Sequence, residues 1–173
     1  MAEHLEIIEG SKAEKYAALL PQIRSVVEDE PDLIANMANV AAMLHETFRF
    51  WWTGFYRVTD LKDLNDLKDS KDSKVSQQLV LGPFQGPLAC TRIKKGQGVC
   101  GTAWDKDETQ VVPDVNQFPG HIVCSSASKS EIVVPIHDKE GKVVAVLDID
   151  STELAAFDDT DREWLEKIAP LLK

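Results

Sequence analysis

The sequence predicts a single α+β domain, and three observations lead there. The chain has 173 residues, enough for one domain with a substantial core and too few for two full ones. Two amphipathic helical patterns come first, and the strand-like runs that follow are joined by turn-rich segments of hairpin type. Hydrophobic residues at 43% and charged residues at 28% are the balance of a packed globular protein, which sets aside disordered, collagen-like and coiled-coil classes.

The charge narrows the partners. With 19 Lys+Arg against 29 Asp+Glu the net charge is −10 and the pI about 4.8, so phosphate backbones and anionic membranes repel the chain and neither nucleic acid nor membrane is an expected partner. Apolar stretches such as Ile132 to Ile136 fall far short of the ~20 residues that span a bilayer, and MAEHLEIIEG lacks a basic-then-apolar signal pattern. The expected location is the cytoplasm. Eight acids against Arg162 between Asp148 and Glu166 read mainly as a solvated helix and its approach.

Along the chain, Ser11 and Glu14 have capping-box spacing ahead of Tyr16, Leu19, Leu20, Ile23, Val26 and Val27, which predicts a helix to about Asp29 with a kink at Pro21. A second helix is expected to take Pro31 into its first turn, carry Leu33, Ile34, Met37, Val40, Ala41 and Leu44 on one face and end near Phe48. Phe50 to Val58 then reads as strand, with Trp52 and Tyr56 on one side of it. Asp60 to Ser76 carries five aspartates and four lysines and reads as a polar loop or hairpin extension without chemistry. Strands are expected at Gln78 to Leu81 and Ala89 to Ile93, separated by the turn-rich Gly82 to Pro87. Glycines 96, 98 and 101 lead into a short helix, Thr109 to Val112 reads as strand, and Pro113 to Lys129 as a long irregular loop, a length that usually serves function. Glu131 to His137 and Lys142 to Asp150 form a hairpin across Asp138 to Gly141, and Phe157 to Leu172 a closing helix capped near Asp158.

Two sets of residues carry candidate chemistry. Gly96 to Gly101 spells the G-x-G-x-x-G dinucleotide fingerprint, but the 26 residues from Ala89 to Asp114 are too few for a βαβ crossover, so the glycines serve a tight turn. The three cysteines, Cys90, Cys100 and Cys124, are too few for a disulfide framework. Cys100 falls in the first turn of the short helix, where the dipole favours thiolate, and Cys124 in a polar loop after His121; either is a candidate nucleophile. A zinc site of the three cysteines with His121 lacks C-x-x-C spacing. The second set is Asp148 and Asp150, which share one face at the end of an otherwise apolar strand, with Glu131 opposite them across the hairpin. Three acids at one sheet end repel one another unless a substrate ammonium or protons intervene.

The segments Leu79 to Gly86, Cys90-x-Arg-Ile, Gly96-x-Gly-Val-Cys-Gly-Thr102, Gly120-His-Ile-x-Cys-x-x-Ala-Ser-x-Ser-Glu-Ile132 and Val146-Leu-Asp-Ile-Asp-Ser151 closely resemble the GAF-domain free methionine-(R)-sulfoxide reductases over nearly the whole chain. The resemblance implies one GAF domain across residues 1 to 173, with two leading helices at 11 to 48, a central antiparallel sheet, helices on one face and a ligand pocket on the other. It implies that Cys124 attacks the sulfoxide sulfur of free methionine-(R)-sulfoxide and that Cys90 resolves the sulfenic acid as a disulfide for thioredoxin to reduce, with Cys100 as alternative resolver or relay. Trp52 would receive the ε-methyl group and Tyr56 wall the pocket. Glu131 and Asp148 would hold the ammonium, and Asp150 would polarise the S=O group, without metal or cofactor. A homodimer is a further expectation. The competing class is a non-catalytic GAF sensor for a small ligand, which needs neither three cysteines nor the acids.

Overall fold

The computed structural model describes residues 4–60, 77–121 and 126–172. Helix α1 is Lys12–Val27; Ser11 caps it and the Glu14 carboxylate accepts the Ser11 amide at 2.8 Å, the capping box read from the sequence. Pro21 lies inside α1 without ending it. Helix α2 is Leu33–Phe48, capped by Asp32, whose carboxylate accepts from Ala35 N at 2.8 Å. Pro31 therefore precedes the cap instead of entering the first turn, because an aspartate can satisfy a free helix amide and proline cannot.

Strands β1 (Trp52–Asp60), β2 (Gln77–Gln85), β3 (Arg92–Ile93), β4 (Gln110–Val112), β5 (Ser130–His137) and β6 (Val143–Ser151) form one antiparallel sheet in the order β3-β2-β1-β6-β5-β4. Two strand expectations need correction. β2 continues through Gly82, Pro83 and Phe84, which the sequence placed in a turn: Gly54 pairs with Phe84 but Tyr56 with Leu81, so β2 carries an extra residue there. Such a bulge accommodates a proline that cannot donate to the ladder. The strand expected from Ala89 shrinks to Arg92 and Ile93. The polar extension expected at 60 to 76 lies, beyond Asp60, outside the described residues.

Helix α3 is Gly98–Lys106, and α4 is Asp159–Ile168, followed by a 3-10 turn at Ala169–Leu171, so the expected closing helix changes type before residue 172. Helices α1, α2 and α4 bury one sheet face, where Tyr16, Ile23, Met37, Leu44 and Leu165 pack on Phe55, Ile132, Leu147 and Ile149. Alternate residues of the same strands, among them Trp52, Tyr56, Val133 and Val146, face the other way toward Val99, Cys100 and Trp104 of α3. Burial on both faces explains why β5 and β6 read as apolar runs instead of alternating. The expectation of helices on one face thus holds for three of the four helices, α3 sitting on the pocket face. Among the described residues no helix is long and apolar enough to cross a membrane.

Candidate functional site

The pocket lies beside α3, over the end of the sheet where β1 begins and β6 finishes. It leaves about 580 Å³ free of atoms, open solvent at its mouth included. One wall is aromatic. Trp52 and Tyr56 stack with ring centroids 6.0 Å apart, and Phe84 stacks on Trp52 at 5.4 Å. Gly54 lies between the two on the same side of β1, and a Cβ there would stand 2.5 Å from the Trp52 ring. Glycine is what lets the indole lie flat over the strand. The polar tips of both rings reach one segment: Trp52 Nε1 donates to the Pro87 carbonyl at 3.1 Å and the Tyr56 hydroxyl to the Cys90 carbonyl at 3.0 Å.

The neighbouring wall is acidic, since β1 pairs Trp52 with Asp150 and Gly54 with Asp148. The hairpin register pairs Glu131 with Asp150 and Val133 with Asp148, so alternation turns all three acids of this cluster to the pocket face. Glu131 and Asp148 are each 6% exposed. Burial, then the neighbouring Asp148 and Asp150 charges, holds the Glu131 carboxyl well above the usual range; Asp148 is raised by burial and then by Asp150. Asp150 is raised less, to about 6, by burial, and a hydrogen bond donated by Ser128 Oγ works against that rise.

Cys100 completes this wall, its Sγ 3.9 Å from Glu131 Oε1. The helix-dipole expectation of a thiolate at Cys100 fails here. The residue does stand in the first turn of α3, but it is 3% exposed, and burial followed by the Asp148 and Glu131 charges pushes its thiol well up. A half-charge at a helix end does not offset desolvation beside two acids. Donor atoms of Cys100, Glu131 and Asp148 lie within 4.8 Å of one another, near enough to surround one small cation. Among the described residues no such cluster includes His121 or Cys90. His121 lines the pocket, and burial lowers its pKa.

Cys90 is disulfide-bonded, whereas Cys100 is a free thiol. Cys124, the expected nucleophile, lies outside the described residues. Gly96, Gly98 and Gly101 form a turn into α3, with Gly96 N bonded to Gly101 O at 2.9 Å, and the antiparallel sheet removes the dinucleotide reading. Sequence reasoning missed Ser128 as the partner of Asp150 and the tethering of residues 87 to 90 by the aromatic tips. Neither has a local signal, since the partners stand 22 and about 35 residues apart.

The fold and this pocket define the class first: a GAF-domain family model matches residues 28–172. The chain is 50% identical to the free methionine-R-sulfoxide reductase of Neisseria meningitidis, whose X-ray structure holds its substrate, with a TM-score of 0.85 over 98% of this chain and 92% of that one. It is 40% identical over 167 residues to the free methionine-R-sulfoxide reductase of Saccharomyces cerevisiae, covering 94% of this chain and 86% of the yeast protein. It is 52% identical over 172 residues to GAF domain-containing protein A of Dictyostelium discoideum, covering 99% of each. The chain belongs to the GAF-domain free methionine-R-sulfoxide reductases, a family of oxidoreductases.

Proposed function

We propose that this chain reduces free L-methionine-(R)-sulfoxide to methionine through a cysteine sulfenic acid and a disulfide, with thioredoxin as reductant, in the reducing cytoplasm. The observation that carries the reading is the pocket itself. An aromatic wall adjoins three buried acids, no Lys or Arg among the described residues lines the space beside them, and the disulfide-bonded Cys90 follows the pocket-lining Ala89. An amino acid supplies both complements, an apolar end for the rings and an ammonium for the acids.

In this mechanism the Cys124 thiolate attacks the sulfoxide sulfur. The oxygen passes to Cys124 as a sulfenic acid and methionine leaves. The Cys90 thiol then displaces that oxygen as water, closing the disulfide, and thioredoxin reopens it by thiol exchange. Trp52 takes the ε-methyl group, with Tyr56 closing the wall. Glu131 and Asp148 grip the ammonium, whose charge favours their ionised forms. Those two charges in turn keep a proton on Asp150, poised to be given to the sulfoxide oxygen as negative charge gathers there. Cys100, buried among acids, is the alternative resolver.

The test is NADPH oxidation coupled through thioredoxin reductase and thioredoxin, with free methionine-(R)-sulfoxide as substrate. Cys124→Ser is expected to abolish methionine formation, and Cys90→Ser to form about one methionine per chain and then stop, because a sulfenic acid forms but is not resolved. An N-acetylated methionine sulfoxide amide, which lacks the ammonium, should be refused. Ligand binding without turnover in the parent protein would instead establish the sensor class.

A further inference from the structure

We propose that Tyr56 is a positioning residue for Cys90: its hydroxyl, through the Cys90 backbone carbonyl, holds the resolving cysteine in the geometry from which the disulfide closes. The inference rests on the reading of Cys90 as resolver and concerns a step that the aromatic wall was not expected to serve.

An apolar wall needs a ring and no hydroxyl, and phenylalanine would serve it. Tyr56 is 1% exposed, and a hydroxyl buried that deeply must find a partner or cost the fold its desolvation. The partner is the Cys90 carbonyl at 3.0 Å, 34 residues away in sequence. Three residues earlier the segment is tied again, by Trp52 Nε1 to Pro87 O at 3.1 Å. Between these ties the chain has no regular structure, and Leu88 projects into solvent at 89% exposure. Gly86 enters the segment at φ +123°, where an added Cβ would stand 2.9 Å from Trp52 Cδ1 and 2.8 Å from the Trp51 carbonyl. After Cys90 the ladder resumes, with Leu81 N donating to Thr91 O at 3.0 Å. Residues 86 to 90 are thus an irregular strap, and within it these two rings supply the ties that bracket the approach to Cys90.

Resolution requires the Cys90 sulfur to meet a sulfenic sulfur in line. One S–S bond forms, one S–O bond breaks, the oxygen leaves as water, and the thiol proton goes with it. Ordering a loose strap at that moment would slow the step, and fixing its backbone beforehand removes that cost. The Tyr56 hydroxyl touches no reacting atom and acts only through the placement of Cys90. Because the rings that would enclose the substrate also hold the strap, occupancy of the pocket and readiness of Cys90 share the same two side chains.

Two measurements test this. In single turnovers of the reduced protein with free methionine-(R)-sulfoxide, methionine release reports the first step and loss of free thiols reports resolution. Tyr56→Phe keeps the ring and should lower the ratio of the second rate to the first about tenfold, the order set by one buried hydrogen bond. A fall of both rates in proportion would mean that Tyr56 is wall alone and would overturn the proposal. The second measurement is the glutathione redox equilibrium of the Cys90 disulfide, which uses no sulfoxide and so remains readable if the reductase reading fails. The effective concentration of the Cys90 thiol should drop about tenfold in Tyr56→Phe and fall also in Gly86→Ala, which disturbs the strap from its other end. If Tyr56→Phe does not fold, Gly86→Ala carries the test alone. An unchanged equilibrium in a folded variant overturns the proposal.

Discussion

Two buried aspartates of this protein live in opposite circumstances. Asp161, wholly buried under α1, accepts from the Lys12 ammonium, from the Tyr16 hydroxyl at 3.0 Å and from the Asp158 amide at 2.9 Å, so both of its oxygens meet donors and one of those donors is a cation. Asp148, 6% exposed on the other side of the sheet, leaves Oδ1 without a hydrogen-bond partner and is raised by burial and by Asp150. Among the described residues no Lys or Arg lines its pocket. A buried carboxylate that brings its own cation fastens two helices together. One that brings none favours its protonated form, and in the proposed reaction it would seat a cation arriving from solution.

This contrast breaks most easily at Asp161. Asp161→Asn should lower unfolding free energy by about 2–3 kcal/mol, from lost charge-assisted hydrogen bonds; the figure stays below that of a sealed ion pair because Lys12 keeps Asp158 and some solvent. Urea denaturation measures it, and Asp148→Asn in the same experiment should cost nothing or stabilise, since it removes a desolvated acid. Equal destabilisation by the two would erase the distinction between them.

A smaller effect sharpens the pocket side. Asp148→Asn should raise the KM for free methionine sulfoxide about tenfold or more while changing kcat less, because a charged hydrogen bond to the ammonium is made alike in ground and transition states. A fall in kcat alone would exchange the roles of Asp148 and Asp150.

The smallest predicted effect concerns Ser128. Asp150 is raised to about 6 by burial, and Ser128 pulls it back; Glu131, Asp148, Cys100, Tyr56 and His121 line the same pocket. If protonated Asp150 donates to the sulfoxide oxygen, the first-step rate is full below its folded pKa and falls as pH rises through it. Removing the Ser128 hydroxyl lets that pKa rise, so in Ser128→Ala the alkaline limb should move to higher pH by about one unit or less. Rapid-quench methionine release against pH reads the limb, and a shift toward acid would exclude Asp150 as the donor.

What the sequence revealed of all this followed the range of the forces involved. The Ser11 and Glu14 box, the Asp138 to Gly141 hairpin and the facing of Glu131 with Asp150 depend on residues a few positions apart or on strand alternation, and each stands as read. Burial of Cys100 depended on strands some 30 and 48 residues further along, so a local dipole rule could not anticipate it. Nor could turn propensity show that Gly82 and Pro83 bulge within a strand, since that outcome is set by pairing with β1. The partners of Ser128 and of the Tyr56 hydroxyl exist only once the sheet is assembled.

The far end of β1 has a practical use. β1 and β2 remain paired down to Asp60 and Gln77, and at ~3.3 Å per residue that end is some 26 Å along the strand from Trp52. Asp60 and Gln77 are cross-strand partners, so a flexible insert joined at these two positions would cost loop-closure entropy that grows by about 0.6 kcal/mol per doubling of its length. A tag, a fluorophore or a fused domain attached through Asp60 and Gln77 would be anchored at the end of the β1–β2 pair remote from Trp52, a handle for immobilising or following the reductase.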